Sequence, residues 1–140
     1  MASRSKDDLN EILVTAYEKA CEEYLFLYPN APQPFITCTY RSPAEQDELY
    51  EIGRSKSGSK ITNARGGESP HNYRMSAAFD IAFVGVNKKL DWSKSNFRKF
   101  ADIIVKWQPL VVCGIDFKSL PDAPHFELKD WKKYVDYRPA

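Results

Sequence analysis

No stretch of this chain is apolar for long enough to cross a bilayer, and the opening Met-Ala-Ser-Arg-Ser-Lys-Asp-Asp lacks the apolar core of a secretory signal. The chain is therefore expected to be made in the cytoplasm, without a signal peptide and without membrane insertion. A surplus of either charge is also missing: 20 Lys and Arg stand against 19 Asp and Glu, for a formal net charge of +1. Phosphate contact usually demands a basic surplus or stripe, so nucleic acid is not an expected partner. The basic runs at 54–60 and 129–133 leave local attraction to an anionic polymer open. Cysteine is scarce. Cys21, Cys38 and Cys113 lie far apart, are odd in number and form no CxxC pair, which argues against both a disulfide framework and a thiolate zinc knuckle. All three are expected to be small buried hydrophobes. Repeats, low-complexity tracts and linkers are absent.

The 140 residues, 43% of them hydrophobic, fit one domain and one core. Leu9, Ile12, Leu13, Ala16, Tyr17, Ala20 and Tyr24 recur at helical spacing and predict a helix from about Lys6 to Leu27, with Ser5 and Asp8 as a capping box. Pro29, Pro32 and Pro34 end it. Phe35 to Tyr40 reads as a strand, and Ser42-Pro43-Ala44-Glu45 opens a second helix. Leu49, Tyr50 and Ile52 are its expected buried side, and Gly53 its stop. After a polar loop from Arg54 to Ser69 come a buried strand at Ala77–Val84 and a helix capped near Ser93 or Ser95. Short strands follow at Leu110–Cys113 and His125–Leu128, then a helical turn at Asp130–Tyr134. The expectation is a single α+β domain over 1–140, with helices packed on a small, mostly antiparallel sheet and no partner chain.

Histidine is the scarcest reactive residue, with only two in the chain. His71 lies in Ser69-Pro70-His71-Asn72-Tyr73, which leads into Ala78-Phe79-Asp80-Ile81. His125 lies in Asp122-Ala123-Pro124-His125-Phe126-Glu127. A catalytic zinc takes three protein ligands from imidazole and carboxylate and keeps one position open, and His71, Asp80 and His125 meet that requirement. Asp122, three residues before His125, is placed to take a proton from water at such a site. The alternative is that each histidine is simply satisfied by neighbours. Asp80 is more demanding, because a carboxylate inside an apolar strand needs a cation or several donors. A metal would serve, and so would Arg41 or Arg74.

The order of these pieces resembles the LAS family of zinc peptidases. That family contains D-Ala-D-Ala carboxypeptidases and the L-alanyl-D-glutamate endopeptidases of phage endolysins. The similarity covers about 35–131, beyond an N-terminal helix within 1–28. It rests on Thr39-Tyr40-Arg41-Ser42-Pro43-Ala44-Glu45-Gln46, Leu49-Tyr50 before Gly53-Arg54, Ile61-Thr62-Asn63-Ala64 before Gly66-Gly67, Ser-x-His with Ala-x-Asp, and Asp-x-Pro-His-Phe-Glu. The resemblance implies one Zn2+ per chain on His71, Asp80 and His125, with Asp122 as general base. It gives Arg41 to substrate or the developing oxyanion. Ser69 and Glu127 are implied to orient ligands, and Tyr73 and Trp131 to line the cleft. The implied activity is cleavage of L-Ala–D-Glu in bacterial peptidoglycan by a monomeric, phage-type endolysin that reaches the wall after release. The same chemistry also admits a D-Ala-D-Ala carboxypeptidase, and a degenerate member would only bind wall peptide. Two departures stand out. Eight residues separate His71 from Asp80 where the family pattern has six, and Cys113-Gly114-Ile115-Asp116-Phe117 stands where relatives show Gly-Gly-Asp-Trp. An even insertion preserves strand parity, or it bulges out and leaves both ligands in place.

Overall fold

The structure, a computed structural model, describes residues 2–138. Helix α1 (Glu11–Leu27) leads to strand β1 (Gln33–Cys38) and helix α2 (Pro43–Glu51). After the polar loop, β2 (Ala78–Val84), α3 (Lys94–Trp107), β3 (Val111–Cys113) and β4 (His125–Leu128) complete the regular elements. The strands form one sheet in the order β1-β2-β4-β3, and every pair is antiparallel. This is the expected α+β architecture.

Strand alternation divides the sheet into a core face and a cleft face. Phe79, Ile81 and Phe83 of β2 and Phe126 and Leu128 of β4 are all buried. On this face Phe79 stacks on its cross-strand partner Phe126 at 5.3 Å between ring centroids. Leu13, Ala16, Ala20 and Tyr24 of α1 and Phe97, Phe100, Ala101 and Ile104 of α3 close over the same face. Each set recurs at three- and four-residue spacing, which makes one stripe per helix. The opposite parity of β2 and β4 turns Asp80, His125 and Glu127 to the other side.

Several local expectations are corrected. Helix α1 starts at Glu11 under an Asn10 cap, while Ser5 caps a separate 3-10 turn at Lys6–Asp8. Between them Leu9 leaves the helical track to bridge Ser76 and enter the core. Strand β1 runs from Gln33 to Cys38 and takes in Pro34, which is tolerated because β1 is an edge strand. Thr39 and Tyr40 pair instead with Ser3, through Thr39 N–H to Ser3 O and Ser3 N–H to Tyr40 O, each at 2.7 Å. Helix α2 has the expected Ser42/Glu45 capping box, but its buried residue is Gln46; Leu49, Tyr50 and Ile52 are half-buried. It forms a wall of the cleft and is not a core helix. Gly53 does end it, at φ +83°, with the backbone of Lys60 pressed against the face where a side chain would start. Among the cysteines, Cys38 and Cys113 are buried and Cys21 is only partly so.

Candidate metal centre

His71 is displayed by a 3-10 turn, Pro70–Asn72, and its sequence builds that turn. The Ser69 hydroxyl accepts the His71 N–H at 3.2 Å, and the Asn72 side chain accepts the Ser69 N–H at 3.1 Å. Asn72 also takes the Gly67 N–H and donates to Arg41 O. Asp80 and His125 are direct cross-strand partners on β2 and β4, so their side chains leave the same face of the sheet. A bulge after Ile36 shifts β1 so that Cys38 is opposite Asp80 as well.

Three donor atoms converge there. His71 Nε2 lies 3.2 Å from Asp80 Oδ1 and 3.3 Å from His125 Nδ1, and that nitrogen lies 3.1 Å from Asp80 Oδ1. The far nitrogen of each ring is already committed. His71 Nδ1 is 2.8 Å from Thr39 O, a carbonyl that can only accept, so the ring carries its proton on Nδ1. His125 Nε2 is 2.7 Å from Glu127 Oε1, which fixes the other tautomer in the same way. In the neutral rings, therefore, two lone pairs and a carboxylate oxygen face one another in a largely buried triangle. That arrangement calls for positive charge at its centre. Ligands about 2.0–2.2 Å from a tetrahedral zinc stand about 3.3 Å apart, which is the size of this triangle. The residues fit a zinc ion.

Proton affinities reflect the same demand in the bare protein. Burial works against charge on His71, yet Asp80 outweighs it and lifts the imidazole to about 10. His125 rises to about 9 because the carboxylates of Asp80 and Glu127 overcome its burial. Burial would raise Asp80, but the two imidazoles hold it well below the carboxylate range.

The triangle opens onto a cleft of about 670 Å³, lined by Arg41, Gln46, Ser69, Asp122, Glu127 and Trp131 among others. Asp122 lines the cleft, with a carboxylate oxygen within 4.8 Å of a carboxylate oxygen of Asp80 and a ring nitrogen of His125. Lost hydration and the Asp80 charge raise its proton affinity. Arg41 reaches in beside it, with Nη2 3.5 Å from Asp80 Oδ2 and Nη1 3.0 Å from Gln46 Oε1. Arg41 is thus a partner of the buried carboxylate and also a cleft residue.

The structure brings together His71, Asp80, His125, Asp122, Arg41, Ser69 and Glu127. Tyr73 is not among the residues lining the cleft. Its hydroxyl donates to Gly67 O and accepts the Arg138 N–H, which fastens the C-terminal segment. Ile115 packs against the core, and Phe117 lines the cleft beside His125. The longer run before Asp80 bulges outward at Arg74 and Met75, which are exposed, while Ser76 returns to the interior. Arg74 meets Asp8, not Asp80. The sequence reading had no role for Gln46, which is buried and bonded to Arg41 and Ala64 O, or for the Thr39 carbonyl. A lone amide on a short polar helix was the available signal for Gln46; a backbone acceptor leaves none.

No family model matches the chain. It is 37% identical over 106 residues to the peptidoglycan L-alanyl-D-glutamate endopeptidase CwlK of Bacillus subtilis (strain 168), across 66% of this chain and 59% of that protein. The chain thus spans about three-fifths of the length of this curated relative. The crystal structure of the L-Ala D-Glu endopeptidase ChiX of Serratia marcescens superposes with a TM-score of 0.65 at 20% identity, over 96% of this chain and 92% of that one. That likeness shows a shared fold. The sequence likeness is to CwlK and the shared fold is with ChiX, and the motifs that carry the resemblance are brought to one cleft.

Proposed function

We propose that the chain is a zinc-dependent peptidase that hydrolyses the L-Ala–D-Glu bond of peptidoglycan peptides, acting as a phage-type endolysin on the wall after release from the cytoplasm. The observation that carries this reading is the triangle of three lone-pair atoms, 3.1–3.3 Å on each edge, with the Asp122 carboxylate beside it in an open cleft. The likeness to the L-alanyl-D-glutamate endopeptidase CwlK supports the choice of bond, and the order of the sequence motifs, which resembles that of endolysin peptidases, supports the lytic role.

A zinc ion held by His71, Asp80 and His125 would supply Lewis acidity toward the scissile carbonyl and the attacking water. Asp122 takes the proton from that water and passes it to the leaving amine, for which a carboxylate of raised proton affinity is suited. Arg41, braced by Gln46, presents its guanidinium to the carbonyl oxygen or to a substrate carboxylate. Glu127 and the Thr39 carbonyl keep both imidazoles in the tautomer that faces inward.

Gram-negative cells stripped of their outer membrane should lose turbidity with the protein, stop with chelator and resume with zinc. Mass spectrometry of digested muropeptides should show a cut after L-Ala. Release of a single D-Ala would assign carboxypeptidase chemistry instead, and intact muropeptides with zinc present would leave only a binder.

A further inference from the structure

The first turns of the chain grip the metal cradle from behind. Strand β1 ends at Cys38, so Thr39 has no place in the sheet, yet it is fully buried and its carbonyl sets the His71 ring. What holds Thr39 is the N-terminal segment. The Thr39 N–H donates to Ser3 O at 2.7 Å, its hydroxyl donates to Ser5 O at 2.9 Å, and the Ser3 N–H returns to Tyr40 O at 2.7 Å. The same segment also grips the loop between His71 and Asp80. The Ser76 N–H donates to Asp8 O at 2.7 Å, and the Asn10 N–H donates to Ser76 O at 2.9 Å. Arg74, one of the two outward-bulging residues, pairs with Asp8 at 3.2 Å and lies over the Tyr40 ring. The Ser3 hydroxyl closes the segment on itself by donating to Asp8 Oδ2 at 2.6 Å.

We propose that Ser3–Asn10 is a clamp that positions the metal ligands, with Thr39 as its positioning residue. The proposal rests on the metal-centre reading. The clamp fixes the acceptor that aims His71 and also anchors the longer loop leading to Asp80, so that ring and carboxylate keep their separation. Without it, the Thr39 peptide is free to turn and the His71 ring loses its orienting acceptor.

The test compares Thr39→Val, which removes the hydroxyl at nearly constant volume, and Ser3→Pro, which removes the N–H to Tyr40, with Thr39→Ser as the conservative rescue. Zinc affinity is read by competition with a chelating dye, and ligand geometry by the visible spectrum of the cobalt-loaded protein. Wild type should bind one ion. Thr39→Val and Ser3→Pro should bind roughly 10- to 100-fold more weakly, the usual cost of losing an outer partner of a ligand, with a shifted cobalt spectrum. Thr39→Ser should restore both. Circular dichroism establishes that each variant is folded, and Thr39→Val decides the matter if Ser3→Pro is not. Wild-type affinity and spectrum in folded Thr39→Val would overturn the clamp alone. Folded wild type that takes up neither ion would overturn the metal-centre reading and the clamp with it.

Discussion

Asp80 divides its two carboxylate oxygens between different partners. Oδ1 faces both imidazoles and Oδ2 faces Arg41, so one acidic residue organises three cations or would-be cations. Its placement explains why an aspartate is tolerated inside Ala78-Phe79-Asp80-Ile81, where an unpartnered carboxylate would be costly. Asp122 has no such burden; it lies near Asp80 and His125 without their short contacts. Replacing Asp122 by Ala should therefore separate chemistry from binding. Zinc content should stay at the wild-type level while the cleavage rate falls about 10²- to 10⁴-fold, the usual worth of a positioned acid–base group. Metal content and kcat measured on one preparation check this. Unchanged activity would show that another group takes the proton.

At the scale of elements, strand parity performs the sorting. Neighbouring residues Phe79 and Asp80 go to opposite faces, as do His125 and Phe126, so the same two strands build the core and the site. The approach to β4 depends on Gly114. A methyl group there would sit 2.2 Å from Asp122 O and 2.9 Å from the His125 side chain, and Gly114 O also accepts the Asp122 N–H. The glycine is what lets the turn carrying both residues lie against the end of β3. Gly114→Ala should cost about 1–3 kcal/mol of stability, the range for forced overpacking, and should lower kcat through displacement of Asp122. Denaturant unfolding together with kinetics checks it; a variant of wild-type stability and rate would mean that the turn has room to move.

For the molecule as a whole, the buried triangle links stability to pH. In metal-free protein the proton affinities of His71 and His125 are raised to about 10 and about 9, above the ordinary value of 6.5, because Asp80, joined at His125 by Glu127, outweighs burial. Groups whose pKa is raised on folding contribute stability that is fully present below the unfolded value and disappears as pH climbs through the folded values. The melting temperature of chelator-treated protein should therefore fall between about pH 7 and pH 10. Asp80→Asn, which lacks the charge responsible, should show a flatter profile. Zinc should act in the opposite sense, with its stabilising shift growing as pH rises, because metal competes with protons for the two rings. Identical slopes for wild type and Asp80→Asn in thermal melts would contradict this account.

The sequence by itself determined the candidate ligand and base residues that the fold gathers in one cleft, and most of the elements. Two histidines in polar clusters, an aspartate in an apolar strand, the Ser42-Pro43 helix start and the periodicities of α1 and α3 all report local demands that residue type records. It misplaced the start of α1 because Leu9 satisfies a bridge to Ser76, 67 positions away by residue number, which no local pattern encodes. It likewise gave α2 a buried apolar side, although that helix lines a cleft and buries an amide. Only the tertiary structure decided that three distant donors stand 3.1–3.3 Å apart, that Arg74 and Met75 turn outward, and that Ser3 and Thr39 meet behind His71. These are distances between parts of the chain far apart in order, set by sheet register and by backbone carbonyls, and a backbone acceptor is the same for every residue type.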